Sequence, residues 1–335
     1  MITYGKVEPF DTFDKVTLEN ERLRLQILPG LGGKICSLLN KTTNREWLDR
    51  PPHRPFRMPQ MGSLWEEWDR CGWDELFPSI DACRLDISGI DEDDTDADAS
   101  GLSGSPHKRQ TEVPIPDHGE LWAVPWEYEE LDPLTLKLSV NSRLLPVRLE
   151  KTIRLQDNRV HFHYSLTNRG RHALPYIWAP HPIIAATEQM TIELPATVKR
   201  IVTAYSADGR LGTRGDEHAW PTACAANGDQ VELNAMPARN SGVADKFYVK
   251  PPCREGWCAV RVNDTGERFK LTYDTADLPY LGIWINGGGW NGEYHLALEP
   301  ATGYLDNLHD AYRNEQCAVI GASAMSSWDM QLEIS

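Results

Sequence analysis

LTLKLSVNSRL (Leu134–Leu144), VRLEKTIR (Val147–Arg154) and RVHFHYSL (Arg159–Leu166) follow one another closely, and each alternates apolar with polar side chains. That period of two is what a β-strand needs when one face is buried and the other is wet. Working outward, strand character recurs at Arg22–Leu28 (RLRLQIL), Met190–Leu194, Phe247–Val249, Cys258–Val262, Phe269–Tyr273 and Tyr280–Ile285. Gly, Pro, Asn and Asp punctuate these runs, and almost no segment keeps a helical period for three turns. The fold class expected is all-β, a large antiparallel β-sandwich forming one domain over residues 1–335.

Two segments interrupt the pattern. Trp65–Leu76 (WEEWDRCGWDEL) reads either as a short helical turn or, through Trp65, Trp68 and Trp73, as a lid or pocket wall. Asp86–Ser105 (DISGIDEDDTDADASGLSGS) is acidic and then rich in Gly and Ser, as a solvated flexible loop is. Asp91, Asp93 and Thr95 begin like a calcium-binding loop, yet Asp96 stands where such a loop needs Gly and Leu102 where it needs Glu. Pro114 and Pro116 mark where regular structure resumes.

The net charge of −15, from 34 basic and 49 acidic residues, argues against nucleic acid and anionic membrane as partners, because both select clustered Lys and Arg. Seven cysteines, an odd number without a CxxC pair or His/Cys ligand spacing, indicate neither a disulfide framework nor a zinc site. The opening residues lack the apolar core of a secretion signal, and no run reaches the length of a membrane span; a cytoplasmic protein, monomer or homodimer, is expected.

Three acid/base residues stand in rigid frames. His118 lies in DHGELWAVPW, His181 between two prolines in IWAPHPII, and Glu299 before Pro300 in LALEPATGYLDNL, where it is expected at the end of an apolar strand. Two imidazoles and a carboxylate can take a proton from one atom and deliver one to another, and rigid mounting is what that transfer requires. His161 and His163 alternate along one strand and read as packing residues. Lys34 and Lys246 are weighed as surface lysines or as partners for an anionic substituent, and Gly287-Gly288-Gly289-Trp290 lacks the spacing of a nucleotide cradle.

In scattered blocks the chain resembles the aldose 1-epimerases, the galactose mutarotase-like family. The blocks are Ile27–Leu48, His118–Trp126, the His181 segment, Asp245-Lys246-Phe247-Tyr248 and LEPATG around Glu299, in the family's order. The resemblance implies the galactose mutarotase-like supersandwich, a monosaccharide substrate and no cofactor or metal. It further implies Glu299 as general base, His181 as general acid, His118 at the ring oxygen and Asp245 on sugar hydroxyls. A departure is the stretch where typical members carry a sugar-binding arginine: here it reads CGWDELFPSID (Cys71–Asp81), so Trp73 and Asp74 are expected to form that wall. Trp73, Trp284 and Trp290 are candidates for the flat platform under a sugar face. The alternative is a non-catalytic carbohydrate-binding protein on the same scaffold. A glycosidase fits less well, since no second catalytic carboxylate is evident.

Overall fold

The computed structural model describes residues 8–10, 13–50, 55–86 and 112–335. The three alternating runs Leu134–Leu144, Val147–Arg154 and Arg159–Leu166 form the strands Thr135–Asn141, Val147–Gln156 and Arg159–Asn168, consecutive in an eight-stranded antiparallel sheet. Ile153 lies opposite Phe162 on the buried face. Each side chain of this kind contributes about 1.5–3 kcal/mol by leaving water, so a one-residue slip, which would turn all of them outward, is strongly disfavoured.

Most other expected runs become strands within a residue or two. Phe247–Val249 is the end of a longer strand, Val243–Val249, and the apolar run before Glu299 continues through it as Tyr294–Ala301. Glu299 therefore stands inside a strand, not at its tip. Pro300 is accommodated because the neighbouring strand Ile184–Ala185 is only two residues long and pairs with Leu296 and His295 alone. Met325–Ile334, between Arg159–Asn168 and Arg268–Tyr273, was not anticipated, although its Trp328, Met330, Leu332 and Ile334 carry the same alternation.

A six-stranded sheet runs Ile184–Ala185, Tyr294–Ala301, Tyr280–Gly287, Val243–Val249, Arg200–Ser206 and Glu217–Ala219. A third sheet contains Leu23–Leu28, Lys34–Asn40 and Trp73–Leu76, and ends on Ala179–Pro182, an edge strand that tolerates both its prolines. Trp65–Glu67 is a single 3-10 turn, and the rest of that ambiguous segment supplies the strand Trp73–Leu76. Cys83–Asp86 pairs with Glu112–Ile115, so regular structure resumes beside Pro114 as expected. Positions 87–105 of the acidic segment, including the calcium-like stretch, lie outside the described residues. No described helix is long and apolar enough to cross a membrane.

Candidate active site

Parity along two strands decides what reaches the site. Across the six-stranded sheet, Tyr205, Lys246, Trp284 and Ala297 stand opposite one another in one row, and Tyr248, Gly282 and Glu299 form the next row on the same face. The adjoining row of Asp245, Ile285 and Leu296 points the other way, as does the intervening row of Phe247, Ile283 and Leu298. At Gly282 an added Cβ would lie 3.0 Å from Tyr248 Cζ, so the missing side chain is what lets that ring lie across the row. On the edge strand, His181 is paired with Asp74 and Pro182 with Trp73. His181 and Asp74 consequently share a face, and Trp73 takes the opposite one.

His181, His118, Glu299, Lys246 and Trp284 line one cavity of about 250 Å³. That is below the roughly 300–1,000 Å³ of sites for drug-sized ligands and suits a single small molecule. His118 reaches the cavity from a sharp turn, with positive φ at His118 (59°) and Gly119 (69°). The turn is pinned because His118 N–H donates to Ile80 O and Glu120 N–H to Phe77 O, and a Cβ at Gly119 would collide with Phe77 O at 1.9 Å. The ring centroids of His118 and His181 are 5.2 Å apart. Trp65 stacks on His118 at 4.9 Å and 9°, and touches His181 at 4.8 Å.

Glu299 is fully buried. Its Oε2 accepts from Lys246 Nζ at 2.7 Å, and its Oε1 has no hydrogen-bond partner. Burial raises its pKa, against the pull of Lys246, and the Asp306 charge raises it further. Burial also holds His181 well below the ordinary imidazole range, with His118 and Lys246 adding to the effect. Lys246 is fixed as a cation by Asp306 and Glu299 in spite of burial. Beside His118, Asp117 lies at ion-pair distance, 3.0 Å, and overcomes its own burial to stay acidic.

Three of the expected sugar-contacting residues stand elsewhere. Trp73 is packed in the core against Phe162 and Phe269. Asp74 sits behind the wall, where its Oδ2 accepts from Lys34 Nζ at 2.8 Å and from Trp65 Nε1 at 3.0 Å. It holds the tryptophan that touches both imidazoles. Asp245, on the core-facing side of its strand, binds Ser206 Oγ and Arg210. Neither lysine is a surface residue: Lys34 is enclosed by Asp69 and Asp74, and Lys246 by Glu299 and Asp306.

Several site residues were not singled out from the sequence. Trp65 enters the sequence reading only as one of three tryptophans of a turn, lid or pocket wall, and it stands in a 3-10 turn that lines the cavity. Asp81 and Asp306 add two further carboxylates to the cavity lining beside Glu299. Arg70, directly before the Cys71–Asp81 block, lies over the ring of Trp290 and pairs with Glu293 at 2.9 Å. His295, wholly buried, sits between Asp49 and Glu293 and contacts Trp284 and Trp290. The positive φ of Arg70 and Asp306 has no signature in the sequence. Among the described residues no cluster of His, Cys, Asp and Glu is arranged to hold a metal ion.

No protein-family model and no curated protein matches the sequence. Solved structures do. The Slr1438 protein of Synechocystis is 18% identical, with a TM-score of 0.66 over 99% of both chains. A galactose mutarotase-like protein from Lactobacillus casei, 18% identical, gives 0.64 over 96% of this chain and 100% of its own. A galactose mutarotase related enzyme from Lactobacillus acidophilus, 13% identical, gives 0.61 over 96% and 97%. With nearly full mutual coverage and an almost wholly antiparallel β architecture, this chain has the galactose mutarotase-like fold.

Proposed function

We propose that the protein is an aldose 1-epimerase, which interconverts the α and β anomers of an aldose or aldose derivative. The observation that carries this reading is the Glu299 carboxylate and two imidazoles meeting at a cavity of monosaccharide size, with Glu299 Oε1 left without a hydrogen-bond partner. Glu299 takes the proton of the anomeric hydroxyl while His181 protonates the ring oxygen, and the ring opens. Rotation about C1–C2 and reclosure with the roles reversed gives the other anomer. His118 stabilises charge at the ring oxygen, and Trp284 and Trp290 provide apolar wall for the sugar.

Glu299 and His181 share one proton throughout. Carboxylate with imidazolium and carboxylic acid with neutral imidazole are two distributions of it. The second accompanies the open-chain aldehyde, and the opposite effects of burial on the two groups favour it. Burial of both groups thus favours the open-chain state relative to the ring forms, and Lys246 limits the bias by holding Glu299 charged. Ring opening occurs in water unaided, and each positioned acid or base adds about 10²–10⁴-fold.

A non-catalytic sugar-binding protein is the second reading, favoured by the 2.7 Å contact with Lys246 that occupies one oxygen of the base. Exchange NMR on freshly dissolved α-glucose and α-galactose separates the two. Acceleration that disappears in Glu299→Gln supports the epimerase; saturable binding without acceleration of any aldose supports the second reading and refutes the first.

A further inference from the structure

We propose that Asp306 is the carboxylate that reads sugar hydroxyls in this cavity, the role the family resemblance assigns to Asp245. The proposal rests on the reading of the cavity as a monosaccharide site, though not on catalysis there. Asp245 is unavailable, because its strand turns it toward the core and Ser206 and Arg210 take up its oxygens. Asp306 lines the cavity and is 4% exposed. Its Oδ1 is fixed by Tyr248 Oη at 2.6 Å and Lys246 Nζ at 2.9 Å. Those two donors lie at one oxygen and leave Oδ2 for a hydroxyl donor.

The backbone reinforces the assignment. Leu305 and Asp306 both have positive φ, 62° and 67°, a conformation that side-chain-bearing residues avoid. Such strain persists only where the surroundings over-determine it, and it gathers at functional positions. Here the Asp306 carbonyl accepts from Ile80 N–H and Asp81 N–H, each at 3.0 Å, and from Ser79 Oγ at 3.2 Å. Arg214 clasps the carbonyl of Leu305 and pairs with Asp81. A carboxylate with one oxygen locked, on a backbone held by three donors, is oriented before any ligand arrives, which reduces the ordering cost of binding.

The test is the affinity of the full chain for galactose, glucose and their monodeoxy analogues, measured by calorimetry or saturation-transfer NMR. Asp306→Asn is expected to weaken binding about tenfold or more, the scale of a hydrogen bond to a charged group. The one deoxy analogue that lacks the hydroxyl read by Asp306 binds wild type poorly, and Asp306→Asn weakens it no further, as a coupled pair requires. Tyr248→Phe, which keeps the charge and removes an orienting donor, is expected to cost a few-fold in affinity and serves if the asparagine variant does not fold. Affinity within twofold of wild type in a folded variant overturns the proposal, as does an equal loss for every deoxy analogue. Sugar binding that depends on Asp306 without anomer exchange leaves the proposal standing and removes the epimerase. No binding of any aldose by wild type removes both.

Discussion

Two buried lysine–glutamate pairs stand among the described residues, and their surroundings differ. In the core, Lys151 Nζ meets Glu75 Oε1 at 2.5 Å, Tyr164 donates to the same oxygen, and Trp178 donates to Oε2. Lys151 itself lies over the rings of Trp73, Phe162 and Tyr164. Both glutamate oxygens have partners. At the cavity, Lys246 meets Glu299 at 2.7 Å, but it also serves Asp306, and Glu299 Oε1 has no partner. The same kind of ion pair has both carboxylate oxygens engaged in the core and one without a hydrogen-bond partner at the cavity, which on the proposed function is the oxygen that takes the proton.

The sharpest way to break this comparison is to neutralise each glutamate with its isosteric amide. Glu299→Gln is expected to cost about 10²–10⁴-fold in anomer-exchange rate, with little change in stability because Lys246 keeps Asp306. Glu75→Gln strands Lys151 in an apolar core and is expected to cost roughly 3–5 kcal/mol in denaturant unfolding, while the folded fraction keeps its rate. A Glu75→Gln variant as stable as wild type would remove the distinction.

Asp245 and Lys246 sharpen the comparison within one strand. Asp245→Ala is expected to lower stability by about 1–3 kcal/mol, because the partly buried Ser206 and Arg210 lose an acceptor. Sugar affinity should be unchanged, and a rise in Kd would place Asp245 in the site after all. The smallest effect concerns pH. His181 is held below its ordinary value of 6.5, chiefly by burial, so the unfolded chain binds its proton more readily than the folded one. Stability from this group is therefore full above pH 6.5 and falls as pH drops through that value toward the folded pKa, by up to about 1.4 kcal/mol per pH unit. Thermal melts of wild type and His181→Asn across this window should diverge, with the variant the flatter.

How far the site could be read from the chain follows from what each signal depends on. His118, His181 and Glu299 were legible because Gly and Pro frame them, and a framed acid or base is a local feature. Trp73, and Asp245 as the resemblance implies it, face away from the cavity, because a strand shows which residues alternate but not which face meets the core. Asp306 is not singled out by the sequence, and Trp65 reads equally as turn, lid or pocket wall, for a related reason: a loop aspartate and a tryptophan in a 3-10 turn acquire meaning only from what folds against them.

The sequence by itself determined that the chain is antiparallel β, since period-two alternation within a strand is a property of neighbouring residues. It also determined which side chains bring acid/base chemistry in rigid settings. Only the tertiary structure decided that Lys246 rather than Asp245 faces the cavity and that Asp74 stands behind Trp65. It alone joined Asp306 to Glu299 through one lysine. Those outcomes depend on pairing between strands far apart in the chain, as where residue 181 meets residue 74 and residue 205 meets residue 246, and no local window contains both members of such a pair.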